Sequence, residues 1–193
     1  MKLKKFYSSR LEGPILDKLD IGYERMMEEL IRKLDEDDWT EKQKKCQKTN
    51  ILPRIALYKT FIRFGVPKDR AKELVREFAY DRAEKFHNVL TTFFKVPRFS
   101  KAFRLFMRKG MAGDEIWHSR ILSDDDEGFA MDVTKCLWND TCIYFDCPEL
   151  CEVFCNCDHI VFGNIEKLEF LRSQTLGMDG SKCDFDFRFR KHS

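Results

Sequence analysis

No stretch of this chain approaches ~18 uninterrupted apolar residues, so a membrane-spanning helix has nowhere to lie. Nor does charge of one sign prevail. The 35 Lys and Arg against 33 Asp and Glu leave a net charge of +2, which supplies no field to draw in nucleic acid or an acidic membrane surface. Residues 1–13, MKLKKFYSSRLEG, have a basic start with no apolar run behind it, which argues against a secretory signal and makes a cytoplasmic location the expectation. A Gly-rich phosphate loop, a GxSxG elbow, an HExxH pair and nucleic-acid motifs are all missing. A CxxC pair, the usual element of structural zinc, is missing too. There is no internal repeat and no Pro/Gly/Ser-rich linker. With 43% hydrophobic residues, the 193 positions are read as a single domain, 1–193, with a helical part over 1–110 and a cysteine-rich α/β part over 111–193.

What the chain does have is eight cysteines. Without an export signal, and with enough apolar residues for a core, reduced thiols are expected rather than a disulfide framework. Cys46 lies alone. Cys136, Cys142, Cys147, Cys151, Cys155 and Cys157 crowd together, and Cys183 follows near the end.

The two halves carry different periods. Ile15, Leu19, Ile21, Tyr23, Met26, Met27, Leu30 and Leu34 recur at mostly three- and four-residue steps, which predicts an amphipathic helix over 15–34. A second helix is predicted over 49–64, closed by Gly65, Val66 and Pro67. A third runs over 67–94, with Ala71, Leu74, Val75, Phe78, Arg82, Phe86, Val89 and Phe93 as its core-facing stripe, and Pro97 stops it. A short helix over 99–107 ends at Lys109 and Gly110. Beyond Gly110 the turn-rich acidic stretch 123–128 leads into a strand with Phe129, Met131 and Val133 on one face. Residues 167–175 predict another strand, and 183–190 the clearest, with Cys183, Phe185, Phe187 and Phe189 on its packed side. Between them, 148–162 reads as a short helix carrying Cys151 and Cys155 one turn apart on one face. The expected class is α+β, a helical N-terminal half packed on a small, mostly antiparallel sheet in the C-terminal half.

An ordered set of residues in the second half resembles one known family: Cys136, PEL at 148–150, Phe154 and Cys155, Asp158, FLRSQT at 170–175, and GSKCDFDFRF at 180–189. The chain is similar over 132–189 to the L-2-amino-thiazoline-4-carboxylic acid hydrolase family, in its cysteine-bearing strand, its second cysteine followed three residues on by an aspartate, its arginine–threonine segment and its closing glycine-rich turn. Cys142, Cys147, Cys151 and Cys157 fall outside that pattern. The resemblance implies a hydrolase acting on a carbon–nitrogen bond of a small, non-peptide ring that bears a carboxylate, with no cofactor.

Opening such a ring needs an attacking group at an amidine-like carbon, a proton donor for the departing atom and an anchor for the carboxylate. Cys155 is the preferred nucleophile, with His159 four residues on to pair with it as an imidazolium and Asp158 as acid, base or orienter. Alternatively Asp158 activates water directly and Cys155 lines the pocket. Cys183, beside the 177–180 turn, is a second nucleophile candidate. Arg172 has the chemistry of a carboxylate clamp, Thr175 can donate a hydrogen bond, and Cys136 completes the substrate-binding set. His87, His118 and His192 carry less weight. Against all this, a free cysteine is most often a small core hydrophobe, and the Phe face of the last strand is a core feature. Two other classes compete: a thiolate-rich zinc or iron–sulfur site, and a non-catalytic sensor or carrier of the same small molecule. A homodimer through the N-terminal helices is a further expectation.

Overall fold

The computed structural model describes residues 3–111 and 113–190, in an α+β arrangement with helices first and a four-stranded antiparallel sheet in the C-terminal half. His192 lies outside the described residues. The chain divides into two compact units, 1–78 and 79–193.

The first unit is helical. After α1 (Leu3–Tyr7), Pro14 opens α2 (Pro14–Asp35), where its missing N–H costs nothing. Leu19, Met26, Leu30 and Leu34 are the buried face of α2. The sequence reading has no helix over the next segment, yet α3 (Glu41–Cys46) forms there. It begins with a capping box: Thr40 accepts from the Gln43 backbone N–H, and the Gln43 side chain accepts from that of Thr40. A π-turn over Gln47–Ile51 leads into α4 (Leu52–Arg63), and the first part of α5 (Lys68–Phe94) follows. Ile55, Leu57, Tyr58, Phe61, Leu74 and Val75 form the core, where the Tyr7 hydroxyl donates to the Leu74 carbonyl at 2.8 Å.

In the second unit the stripe predicted for α5 needs correction. Phe86, Val89 and Phe93 are 54%, 50% and 50% exposed, and the buried positions are Ala79, Ala83, Leu90 and Phe94. The buried line here runs through two alanines together with Leu90 and Phe94, and His87 is half-buried beside it. His87 Nδ1 donates to the Val161 carbonyl at 3.1 Å, which fixes its tautomer and leaves Nε2 to accept from the Thr91 hydroxyl at 3.3 Å. After α6 (Phe99–Met111), β1 (Trp117–Asp124) and β2 (Gly128–Cys136) make a hairpin, its turn fastened by the Asp125 carboxylate accepting from the Glu127 and Gly128 N–H groups. Then come α7 (Leu137–Tyr144), a 3₁₀ turn at Pro148–Leu150, α8 (Cys151–Phe162), β3 (Leu168–Leu171), a second 3₁₀ turn at Leu176–Met178, and β4 (Cys183–Phe189). The strand order is β1-β2-β4-β3, antiparallel throughout.

Alternation along β4 puts Cys183 and Phe187 in the core with Phe129, Met131 and Val133 of β2, Leu90 and Phe94 of α5, and Phe103 and Met107 of α6. Phe187 is fully buried, and its ring meets those of Phe103, Phe162 and Phe170 at 5.5, 5.1 and 5.0 Å. Truncation by Phe187→Ala is expected to destabilise the protein by ~3–5 kcal/mol, read from urea unfolding followed by circular dichroism. Among the described residues, no helix is long and apolar enough to cross a membrane.

Candidate active site

The site is built where α8 faces the chain between β3 and β4. This connection would be a loose loop but for Asp184, the first outward residue of β4 after Cys183. Its carboxylate accepts from the Ser173 N–H at 3.0 Å, the Ser173 hydroxyl at 2.5 Å and the Gln174 N–H at 2.9 Å. Gln174 Oε1 in turn accepts from the Ser181 N–H at 3.0 Å, and the Gly180 N–H bonds the Thr175 carbonyl at 2.9 Å. A Cβ at Gly180 would stand 2.7 Å from that carbonyl oxygen, so the close approach of the two segments needs glycine there. RSQT and GSKCD therefore lock to each other, which places Arg172, Thr175 and Cys183 with fixed backbones.

Arg172 is the hub. Its side chain is 2% exposed, lies 5.8 Å from the Phe170 ring and 5.5 Å from the Phe185 ring, and reaches α8 at two points. Nη1 donates to Asp158 Oδ2 at 2.6 Å and Nη2 to the Cys155 carbonyl at 2.7 Å, while Nε is buried without a partner. Asp158 is one-third exposed. Burial pushes its carboxyl up to about 6 from the ordinary 3.8, against the pull of the Arg172 charge and hydrogen bond. Thr175 is buried, and its hydroxyl meets no nitrogen or oxygen partner; it lies against the Cys155 thiol, whose ionisation it favours.

The thiols of this region are neighbours in a row, so that Cys142 and Cys155 each bear on the ionisation of Cys151. Cys151 is the first residue of α8, where the helix dipole favours negative charge. Cys142 and then Cys155 hold the Cys151 thiol well below the usual range, against the effect of burial. Correspondingly, Cys151, followed by burial, holds the Cys155 thiol above its usual range. Cys183 is buried and raised by that burial, with the Leu176 N–H on its sulfur at 3.3 Å. Cys136, at the end of β2, is pushed up to about 12, again by burial. His159 is exposed and packs on the Phe170 ring at 5.4 Å; burial and then the Arg172 charge keep its imidazole below the usual value, which disfavours an imidazolium beside Cys155. Cys157 is spoken for by the Val153 carbonyl at 3.2 Å. Among the described residues, no three His, Cys, Asp or Glu side chains converge as metal ligands.

Gly177 roofs this row: a Cβ there would stand 2.5 Å from Cys151 Sγ and 2.9 Å from Cys155 Sγ. Gly177→Ala is expected to destabilise the protein by ~1–3 kcal/mol through overpacking, and Cys151→Ala added to it to recover part of the loss, both read from denaturant midpoints. Two open grooves, about 450 and 550 Å³, lie around Asp186 and Arg188, and the smaller reaches the site at Arg172, Ser173 and Asp184.

The structure thus gathers Cys155, Asp158, Arg172, Thr175, Cys183 and Cys136 into one region and leaves His159 at its rim. Asp184 fastens the site without having been among its predicted residues, and Gly177 and Cys151, read in the sequence only as a turn residue and a helix-face cysteine, lie within it. The aspartate of the CDF run, at an outward strand position beside a cysteine, was the signal for the first. No curated protein and no solved structure matches the chain. The family model for L-2-amino-thiazoline-4-carboxylic acid hydrolase matches residues 43–187, three-quarters of the sequence and the whole of this site, and the chain belongs to that family.

Proposed function

We propose that the protein is a hydrolase that opens a small cyclic isothiourea or amidine-like ring bearing a carboxylate, of the 2-aminothiazoline-4-carboxylate type. The family name supports the substrate class. The observation that carries the reading to these residues is that Arg172, which bonds Asp158 and the Cys155 carbonyl through its two Nη atoms, has its Nε buried without a partner. A buried guanidinium N–H without an acceptor costs stability, and a substrate carboxylate is an acceptor of the kind that a guanidinium takes. Of the two routes to attack, Asp158-activated water is favoured over a Cys155 thiolate, because the neighbouring Cys151 and burial hold the Cys155 thiol above its usual range.

With its carboxyl near 6, Asp158 is roughly nine-tenths ionised at neutral pH, yet basic enough to take a proton from water as the oxygen adds to the amidine-like carbon. Arg172 fixes Asp158 Oδ2, so the other oxygen is the one that takes the proton. The ring C–N bond then breaks, the departing nitrogen recovers the proton from Asp158, and the product is the substrate plus one water. The test is incubation of the purified protein with 2-aminothiazoline-4-carboxylate and with the same ring lacking the carboxylate, followed by mass spectrometry. A gain of one water on the carboxylate ring, with far less on the bare ring, is the expected result. No product from any cyclic isothiourea or amidine would overturn the reading, and a melting shift without product would move the protein to the sensors and carriers.

A further inference from the structure

The end of α5 and the length of α6 carry a surface that the candidate site does not use. On α5 the exposed Phe86, Val89 and Phe93 follow one another at three- and four-residue steps, so they line one flank of the helix. On α6, Phe99 and Phe106 lie two turns apart on one side, and Phe106, 69% exposed, is the barest large apolar side chain among the described residues. The rings of Phe93 and Phe99 stack at 5.4 Å, which joins the two lines into one patch, and the exposed Val96 lies in the connection between the helices. Apolar side chains exposed singly are ordinary, but a contiguous row across two adjoining helices belongs to a surface that meets something apolar.

Charge says what that is. The net charge of +2 averages over an uneven chain: residues 85–113 hold seven Lys and Arg and no Asp or Glu. Four of the seven are engaged, Lys85 by Asp81, and Lys101, Arg104 and Arg108 by Asp124 and Asp126 of the β1–β2 hairpin. Lys95, Arg98 and Lys109 are exposed and in no ion pair among the described residues. Lys95 and Arg98 flank Val96 between the helices, and Lys109 follows Phe106 by three residues and so shares its side of α6. Cations rimming a row of phenylalanines suit the headgroup region of a bilayer, where the rings enter among the acyl chains and the ammonium and guanidinium groups meet phosphates and carboxylates. A second copy fits poorly, because two-fold pairing lays the patch on itself and brings Lys95, Arg98 and Lys109 against their counterparts, with no acidic residue of the segment to offset them. We propose that the α5–α6 corner is a docking surface that seats the protein reversibly on a bilayer bearing anionic phospholipid. Docking of this kind is independent of the ring-opening reaction.

The full chain is floated with phosphatidylcholine vesicles containing about 30% phosphatidylserine, and separately with vesicles of phosphatidylcholine alone. The expected result at about 50 mM salt is capture by the anionic vesicles, at least about tenfold less by the neutral ones, and release from the former as salt rises to about 300 mM. Each basic residue at an anionic surface contributes roughly fivefold, so Lys95→Glu combined with Lys109→Glu is expected to weaken capture by about thirtyfold or more. Phe93→Ser combined with Phe106→Ser is expected to abolish it with the far-ultraviolet circular dichroism unchanged, since both rings are exposed. No capture at low salt, equal capture by neutral vesicles, or capture unaltered in either variant would overturn the proposal. So would a dimer in sedimentation experiments that the phenylalanine variant dissolves, which would give the patch to a second copy. If the phenylalanine variant does not fold, the charge variant, which alters only exposed lysines, decides.

Discussion

Asp158→Asn is expected to lower kcat for ring opening by ~10²–10⁴-fold while the protein stays folded, because the amide keeps the shape of the carboxylate and cannot take a proton from water. The comparison that gives this result meaning is Cys155→Ala, which on the same account keeps most of the activity, since Cys151 and burial hold the Cys155 thiol above its usual range. If the order is reversed, with Cys155→Ala inactive and Asp158→Asn active, the reaction runs through a thiolate. Asp158→Asn also changes how stability depends on pH. A carboxyl whose value is raised from 3.8 to about 6 by folding binds its proton more tightly in the folded chain, so its contribution is complete below about 4 and is lost as pH rises through about 6. The variant is expected to lose that slope in denaturant midpoints measured across the range.

Arg172→Met is expected to have the largest effect on stability of any change in the site. The guanidinium is 2% exposed and makes charge-assisted bonds to Asp158 and to the Cys155 carbonyl, and removing it leaves both acceptors short of a partner at the heart of α8 packing. A loss of ~2–4 kcal/mol follows, at the lower end of what breaking a buried pair costs because Asp158 is one-third exposed. Arg172→Lys is expected to rescue little, since a single ammonium cannot span a side chain, a backbone carbonyl and a substrate carboxylate in the plane that the guanidinium offers. Urea unfolding measures the first effect. For the second, the KM of the carboxylate-bearing ring should rise in Arg172→Lys while residual turnover of a ring without the carboxylate stays as low as in the wild type.

Much of the second unit could be read in the sequence because its strands alternate cleanly. Phe129, Met131 and Val133 on β2, and Cys183, Phe185, Phe187 and Phe189 on β4, mark one face by size and polarity, and the core has that face. The first strand, WHSRILSD, gave no such signal. It is an edge strand with most of its residues exposed and two irregularities in its register, so neither face selects apolar side chains. On α5 the reading followed the large residues Phe86 and Phe93, while the buried line runs through Ala79, Ala83 and Leu90; close packing there favours small side chains, which hydrophobic periodicity underweights. The i, i+4 spacing put Cys151 and Cys155 on one face correctly. It could not reveal that Cys142, on another helix, neighbours Cys151, or that Arg172, expected to await a substrate, already holds Asp158 fourteen residues earlier. Such pairings belong to tertiary structure and leave no periodic trace.

The most direct test of the account is the pH profile of kcat/KM for opening 2-aminothiazoline-4-carboxylate. The Asp158 assignment predicts a rate that rises with pH through an apparent value of about 6, levels off above it, and loses that step in Asp158→Asn. A profile flat across 6 that rises only at about 8.5 or above, where an ordinary or raised thiol ionises, would contradict it and give the attack to a cysteine.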